Sequence, residues 1–135
     1  MAQIRRICSV AVNKQLSVVG ASLNEFVVLS RVSEETDVPQ SELAYDAAVD
    51  PAAISRLIRD MMQAGTITTR VDPNDKRQRF VNITPKGRTL MRTLAPIVDS
   101  TLAPYMAGLT ADDEQEFLRL LRKHYTAVLQ VVERE

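Results

Sequence analysis

The chain has 135 residues, 17 basic and 17 acidic side chains, and a hydrophobic share of 45%; this is the range of one soluble globular domain with its own core, and it excludes a disordered or fibrous chain. A single cysteine, Cys8, permits no internal disulfide and fits a reducing compartment, and the lone His124 leaves no zinc-type ligand set. No apolar run approaches the roughly 18 residues of a membrane span, and the amino terminus, with Arg5, Arg6 and Lys14, has no signal-peptide core, so a cytoplasmic protein with no membrane partner is expected.

Residues 2–16 predict a first helix, with Ile4, Ile7, Cys8, Val10, Ala11 and Val12 on a wide apolar face. Ser22-Leu23-Asn24-Glu25 is a capping-box pattern that opens a second helix, carried by Phe26, Val27, Leu29 and Val32 to about Glu35. A short third helix is expected from Pro39 to Ala47, with Leu43, Ala44 and Ala47 inward. Asp50-Pro51 then supplies an N-cap and a first-turn proline. Ile54, Leu57, Ile58 and Met61 recur at helical spacing, and Gly65 is the stop. Ala52, Ala53, Ser55, Arg56 and Arg59 are thereby left on the outer face.

Ile67-Thr68-Thr69-Arg70-Val71 and Arg79-Phe80-Val81-Asn82-Ile83 read as two strands around the turn Asp72-Pro73-Asn74-Asp75-Lys76-Arg77. Thr84-Pro85 repeats the cap-plus-proline device and opens a fifth helix that Pro96 should kink or split. Thr110 with Asp112 and Asp113 caps a sixth. Phe117, Leu118, Leu120, Leu121, Tyr125, Val128, Leu129 and Val132 make that last helix apolar over most of its circumference, which predicts two packing partners, one of them a second chain. The fold class is mainly α with a small β-hairpin.

Charge is balanced overall but segregated along the chain. Between Arg56 and Arg88 stand eight basic residues and three acidic ones, and acidic residues gather at Glu34–Asp37 and Asp112–Glu116. A helix with small residues on its first turn and arginines behind them has the shape of a DNA major groove, and a basic hairpin after it has the charge to grip a flanking minor groove. Arg56 and Arg59 share one helical face, Lys76, Arg77 and Arg79 crowd the hairpin, and Gln40 and Ser41 open the third helix as phosphate donors or as caps. Asp75, beside an arginine that must point in one direction, reads as the partner of a positioning salt bridge to Arg77, with a plain turn former as the alternative.

These segments resemble the MarR family of winged-helix regulators. The likeness rests on Leu43-Ala44, Val49-Asp50-Pro51, Ile54-Ser55-Arg56-Leu57-Ile58, Gly65-Thr66-Ile67, Asp72-Pro73-Asn74-Asp75-Lys76-Arg77, Ile83-Thr84-Pro85-Lys86-Gly87 and Gly108-Leu109-Thr110. It covers about residues 22–130. The resemblance implies a single domain over residues 1–135: a winged helix-turn-helix core at about 22–88, flanked by dimerisation helices at about 1–18 and 89–135. It implies a homodimer that binds double-stranded DNA at a pseudo-palindromic operator, usually as a repressor, and is released by a small anionic or phenolic effector or by thiol oxidation. Carried onto this sequence, Ala53, Ser55, Arg56 and Arg59 lie on the reading helix, Arg77 is the wing arginine, and Asp75 is the acidic residue that orients it. No effector site is assigned, and no cofactor or metal is expected.

Two other readings use the same residues. A winged-helix protein-interaction module would bind another protein through its apolar helices and leave the wing idle. A thiol-based redox sensor would use Cys8, although Ile4, Ile7 and Val10 around it suggest a packed small hydrophobe. No paired carboxylate, phosphate loop or nucleophile–base pair supports an enzyme.

Overall fold

The computed structural model describes residues 2–132, and the side chains of Leu129 and Val132, the end of the expected apolar stripe, lie outside the described residues. The elements in chain order are α1 (Ala2–Ser17), α2 (Leu23–Glu34), β1 (Val38–Pro39), α3 (Gln40–Asp46), α4 (Pro51–Ala64), β2 (Ile67–Val71), β3 (Arg79–Ile83), α5 (Pro85–Met106) and α6 (Ala111–Val132). Two compact units divide the chain, residues 1–101 and residues 102–135.

In the first unit, one core collects a few side chains from each element. Leu16, Val28, Leu29, Leu43, Ile54, Ile58, Met61, Ile67, Val81 and Leu94 are at most 2% exposed. The α4 face is the one its spacing predicts, with Ile54, Ile58 and Met61 buried and Leu57 half-buried. Its ends are fixed locally. The Asp50 carboxylate accepts the Ala53 N–H at 2.7 Å, and Gly65, at φ +78°, donates its N–H to the last-turn carbonyls of Met61 and Met62. Ser22 caps α2 in the same way, accepting the Glu25 N–H at 3.2 Å.

The sheet has the order β1-β3-β2, antiparallel throughout, with Val38 opposite Val81 and Arg70 opposite Phe80. The third strand, β1, does not register as a strand in the sequence: it is two residues long and ends in a proline, too short for any alternation. Its buried Val38 pairs the chain onto β3 just before α3 begins. From the other side, Arg31 of α2 holds α3 through Glu42 at 2.6 Å and Asp46 at 2.7 Å.

Thr84-Pro85-Lys86-Gly87 joins α4, β2 and α5. The Thr84 hydroxyl donates to the Gly65 carbonyl at 2.6 Å and accepts the Gly87 N–H at 3.1 Å, and the Thr84 N–H donates to Thr66 O at 3.0 Å. Lys86 Nζ donates to the Ala64 carbonyl at 2.6 Å, meeting an otherwise unpaired group at the end of α4. Gly87 is buried so closely that a Cβ there would lie 2.1 Å from Thr66 O.

Pro96 does not split α5, which runs unbroken from Pro85 to Met106. The ring removes one hydrogen bond, while Leu94 and Val98 on either side stay buried and hold the helix to the core. In the second unit, Thr110 and Asp113 cap α6 reciprocally, the Thr110 N–H and hydroxyl donating to the Asp113 carboxylate and the Asp113 N–H to the Thr110 hydroxyl. This holds the Asp113 carboxyl below its ordinary pKa. Phe117, Leu118, Leu120, Leu121 and Tyr125 of α6 are 41–49% exposed. No helix among the described residues is long and apolar enough to cross a membrane.

Candidate nucleic-acid interface

Antiparallel pairing from Ile67↔Ile83 out to Val71↔Arg79 makes β2 and β3 a two-stranded ribbon ending in a seven-residue tip, 72–78. Two Asx turns shape the tip: the Asp72 carboxylate accepts the Asn74 N–H at 2.8 Å, and the Asp75 carboxylate accepts the Arg77 N–H at 3.0 Å. The backbone closes through Asp72 N–H to Gln78 O and Gln78 N–H to Asp75 O, both at 3.0 Å. Asp75 therefore bears on Arg77 through its backbone. Among the described residues no ion pair joins the Asp75 carboxylate to the Arg77 guanidinium, in place of the positioning salt bridge expected from the sequence.

The ribbon and the two helices before it enclose an open concavity of about 540 Å³. Gln40 and Ser41 of α3, Ser55 of α4, and Asp75, Arg77 and Arg79 of the ribbon and its tip line it together. A second hollow, of about 290 Å³, adds Arg59 beside Arg79, with Gln40 and Ser55 shared. Residues as far apart in the chain as Gln40 and Arg79 thus meet on one side of the unit. Gln40 Nε2 donates to Ser55 Oγ at 3.1 Å, tying α3 to α4 at the shared lining. Arg56 and Lys76 are exposed, whereas Ala53 is half-buried.

Within the basic stretch the cations divide into two groups. Arg70 and Lys86 are used internally, on Asp37 and on the Ala64 carbonyl. Arg56, Arg59, Lys76, Arg77, Arg79 and Arg88 have no ion-pair partner among the described residues. The helix end contributes less than its sequence suggests: the Asp50 carboxylate already occupies the Ala53 N–H. Any anion at this face is therefore met mainly by side chains.

Sequence reasoning missed what Arg70 does. Its Nε and Nη2 donate to the two carboxylate oxygens of Asp37 at 2.8 and 2.7 Å, and its guanidinium lies 4.8 Å from the Phe80 ring centroid. The Asn82 amide donates to Asp37 Oδ1 and accepts the Asp37 N–H, both at 2.8 Å. These bonds, Arg70 first, lower the Asp37 pKa from 3.8 to about 2. A depressed carboxyl stabilises the fold above its ordinary pKa and loses that contribution as pH falls through its folded value. Wild-type melting temperature should accordingly drop more steeply from about pH 4 to about pH 2 than that of Asp37→Asn; parallel acid profiles would contradict the assignment.

On α1, Arg5, Arg6, Ser9 and Asn13 face a groove of about 690 Å³, closed on its other sides by Asn24 of α2 and by Asp46 at the end of α3. At 100° per residue, Ile4 and Ile7 stand on the opposite side of α1, 64% and 55% exposed. Cys8 is half-buried and forms no disulfide.

A reading helix braced by a shorter helix and followed by a basic two-stranded ribbon defines a winged helix-turn-helix protein. The MarR family model matches residues 21–78. The HTH-type transcriptional repressor Rv2887 of Mycobacterium tuberculosis is 32% identical over 112 residues, covering 83% of this chain and 81% of the relative. The chain belongs to the MarR family of transcriptional regulators. Among solved structures, that of MarR superposes with a TM-score of 0.84 at 20% identity, covering 99% of this chain and 91% of the other, a likeness of fold. The complex of Mycobacterium tuberculosis Rv2887 with salicylic acid gives 0.74 at 30% identity, covering 90% of each chain.

Proposed function

We propose that this regulator is a homodimeric, ligand-responsive repressor that reads a pseudo-palindromic operator in double-stranded DNA. The observation that carries the reading is that Gln40, Ser41 and Ser55 of the two helices line one concavity with Arg77 and Arg79 of the wing. Residues 22–88 form the DNA-binding core. In it, Ala53, Ser55, Arg56 and Arg59 take the major groove, Gln40 and Ser41 the flanking phosphates, and Lys76, Arg77 and Arg79 the minor groove beside the site. Asp75 supports the wing by shaping the backbone under Arg77.

The exposed apolar side chains of α1 and α6 are the surfaces for a second copy of the chain. A dimer would set its reading helices ~34–36 Å apart for successive major grooves. In a titration of duplex DNA, affinity should fall about 10³–10⁵-fold between 50 and 200 mM salt if 6–10 phosphates are contacted, and sedimentation should give a dimer. Salt-insensitive or absent DNA binding would favour the protein-interaction module.

The effector is a small aromatic carboxylate seated in the α1–α2 groove, where Arg5 and Arg6 meet the anion and Asn13 and Asn24 its polar substituents. The crystallised salicylic acid complex of Rv2887 supports this chemical class. Such a ligand releases DNA only by its difference in affinity between the two dimer forms. Salicylate should raise the melting temperature and lower DNA affinity, and Arg5→Ala with Arg6→Ala should abolish both effects. A double variant that still responds like the wild type would remove the ligand from this groove.

A further inference from the structure

We propose that Arg70 is the positioning residue of the wing: clamped to Asp37, it fixes the angle at which the ribbon carries Arg77 and Arg79. The proposal rests on the DNA-binding reading above for its consequence, but its structural content stands in the free protein.

The ribbon has two faces. Ile67 and Val81 bury the inner one in the core at the hairpin's base. Towards the tip that grip ends: past Thr69↔Val81 only two pairs remain, Arg70↔Phe80 and Val71↔Arg79, and Val71 is 46% exposed. A two-stranded ribbon without a packed face is marginal by itself. The clamp sits on the outer face where the core contact runs out. Arg70 and Phe80 are directly opposed, and Asn82 follows Phe80 on the same face.

Three chain segments meet there. Arg70 comes from β2, Phe80 and Asn82 from β3, and Asp37 from the turn between α2 and β1. Five contacts converge on Asp37 and Arg70: the bidentate pair, the reciprocal Asn82 amide bonds and the stack on Phe80. A planar guanidinium held along its Nε–Nη2 edge by two hydrogen bonds and set over a ring has little rotational freedom left. Asp37 itself holds a left-handed backbone conformation, φ +52°, that few residues other than glycine adopt. Its N–H on Asn82 and its carboxylate on Arg70 over-determine that conformation. The turn is therefore a fixed post, and Arg70 ties the outer half of the ribbon to it.

The same bonds take Arg70 out of the cationic surface. Both carboxylate oxygens of Asp37 are spent on it, so its charge is matched within the protein. Removing Arg70 should lower DNA affinity without removing a phosphate contact, a signature different from that of a wing-tip cation.

The experiment measures affinity for one bound duplex against salt concentration, for wild type, Arg70→Met, Arg77→Ala and the double variant. Methionine keeps an apolar stem over Phe80 and loses the grip on Asp37. Arg70→Met is expected to bind about tenfold more weakly at fixed salt, in the range of coupled neighbours, with the salt slope of the wild type. The double variant should lose less than the product of the two single losses, because Arg70 acts in part through Arg77 and for the rest through Arg79. Wild-type affinity in Arg70→Met would overturn the proposal. So would a slope lower by about 0.9 per subunit, or losses that multiply in the double variant.

Hydrogen exchange on the free proteins decides the structural half independently. Arg70→Met should speed exchange of the Asp72 and Gln78 amides while leaving those of α4 unchanged, and unchanged wing protection would refute the clamp. A wild-type protein that binds no duplex would strike the function reading, and the exchange result would still judge Arg70.

Discussion

Arg77→Ala is expected to weaken operator binding by about 1–3 kcal/mol for each wing, and to flatten the salt dependence by roughly 1 per subunit. The expectation follows from where the tip puts this residue. Two consecutive Asx turns fix the backbone from Asp72 to Arg77, and Arg77 lines the same concavity as Gln40, Ser41 and Ser55. Because no carboxylate holds its guanidinium among the described residues, Arg77 loses no protein ion pair on meeting DNA. Arg77→Lys separates two contributions: it keeps the charge and therefore the slope, but loses planar, forked hydrogen bonding. Duplex titrations at several salt concentrations read both quantities. A variant with unchanged affinity and slope would remove the wing from the interface.

Gly87→Ala is expected to destabilise the fold by about 2–4 kcal/mol, in the upper range for forced overpacking, and to lower the melting temperature by roughly 6–15 °C. A Cβ at this position meets the Thr66 carbonyl at 2.1 Å and Ile83 Cγ1 at 2.8 Å. The first of these is backbone, so no rotamer change relieves it. The start of α5 must move away from β2, and the Thr84 bonds to Gly65 and Thr66 that depend on their closeness are strained with it. Gly108→Ala is the control: nothing lies within 4 Å of its Cβ position, and it should melt within a few degrees of wild type. Equal melting temperatures for the two variants would show that the α5–β2 approach is looser than described.

Local signals were the legible ones. Asp50, Pro51 and Gly65 bracket α4 because each acts on backbone groups within four residues, and the hairpin followed from turn chemistry between two alternating runs. The Thr-Pro-Lys-Gly segment was visible as a cap; that Lys86 also closes α4 and that Gly87 is pressed against Thr66 depends on a helix and a strand meeting in space. Asp37 and Arg70 are 33 positions apart. No periodicity links them, so Arg70 counted in the sequence as one more exposed cation. Asp75 illustrates a finer limit. A carboxylate two residues before an arginine can bond its backbone or its side chain, and only the turn geometry selects the backbone. The exposed apolar face of α6 was legible as surplus hydrophobicity, since a helix apolar on most sides has more face than one neighbour can cover. By contrast, Ile4, Ile7 and Val10 of α1, which the sequence suggested as buried, are exposed.

The most direct test of the central claim is selection of bound duplexes from a random-sequence library, run in parallel with wild type and Arg77→Ala. Sequence-specific dimeric DNA binding predicts that wild type enriches an inverted repeat with half-sites about 10 base pairs apart. It also predicts that the variant recovers the same core more weakly, with preference lost in the flanking positions the wing would touch. No enrichment by wild type at low salt, or identical enrichment by both proteins, would contradict it.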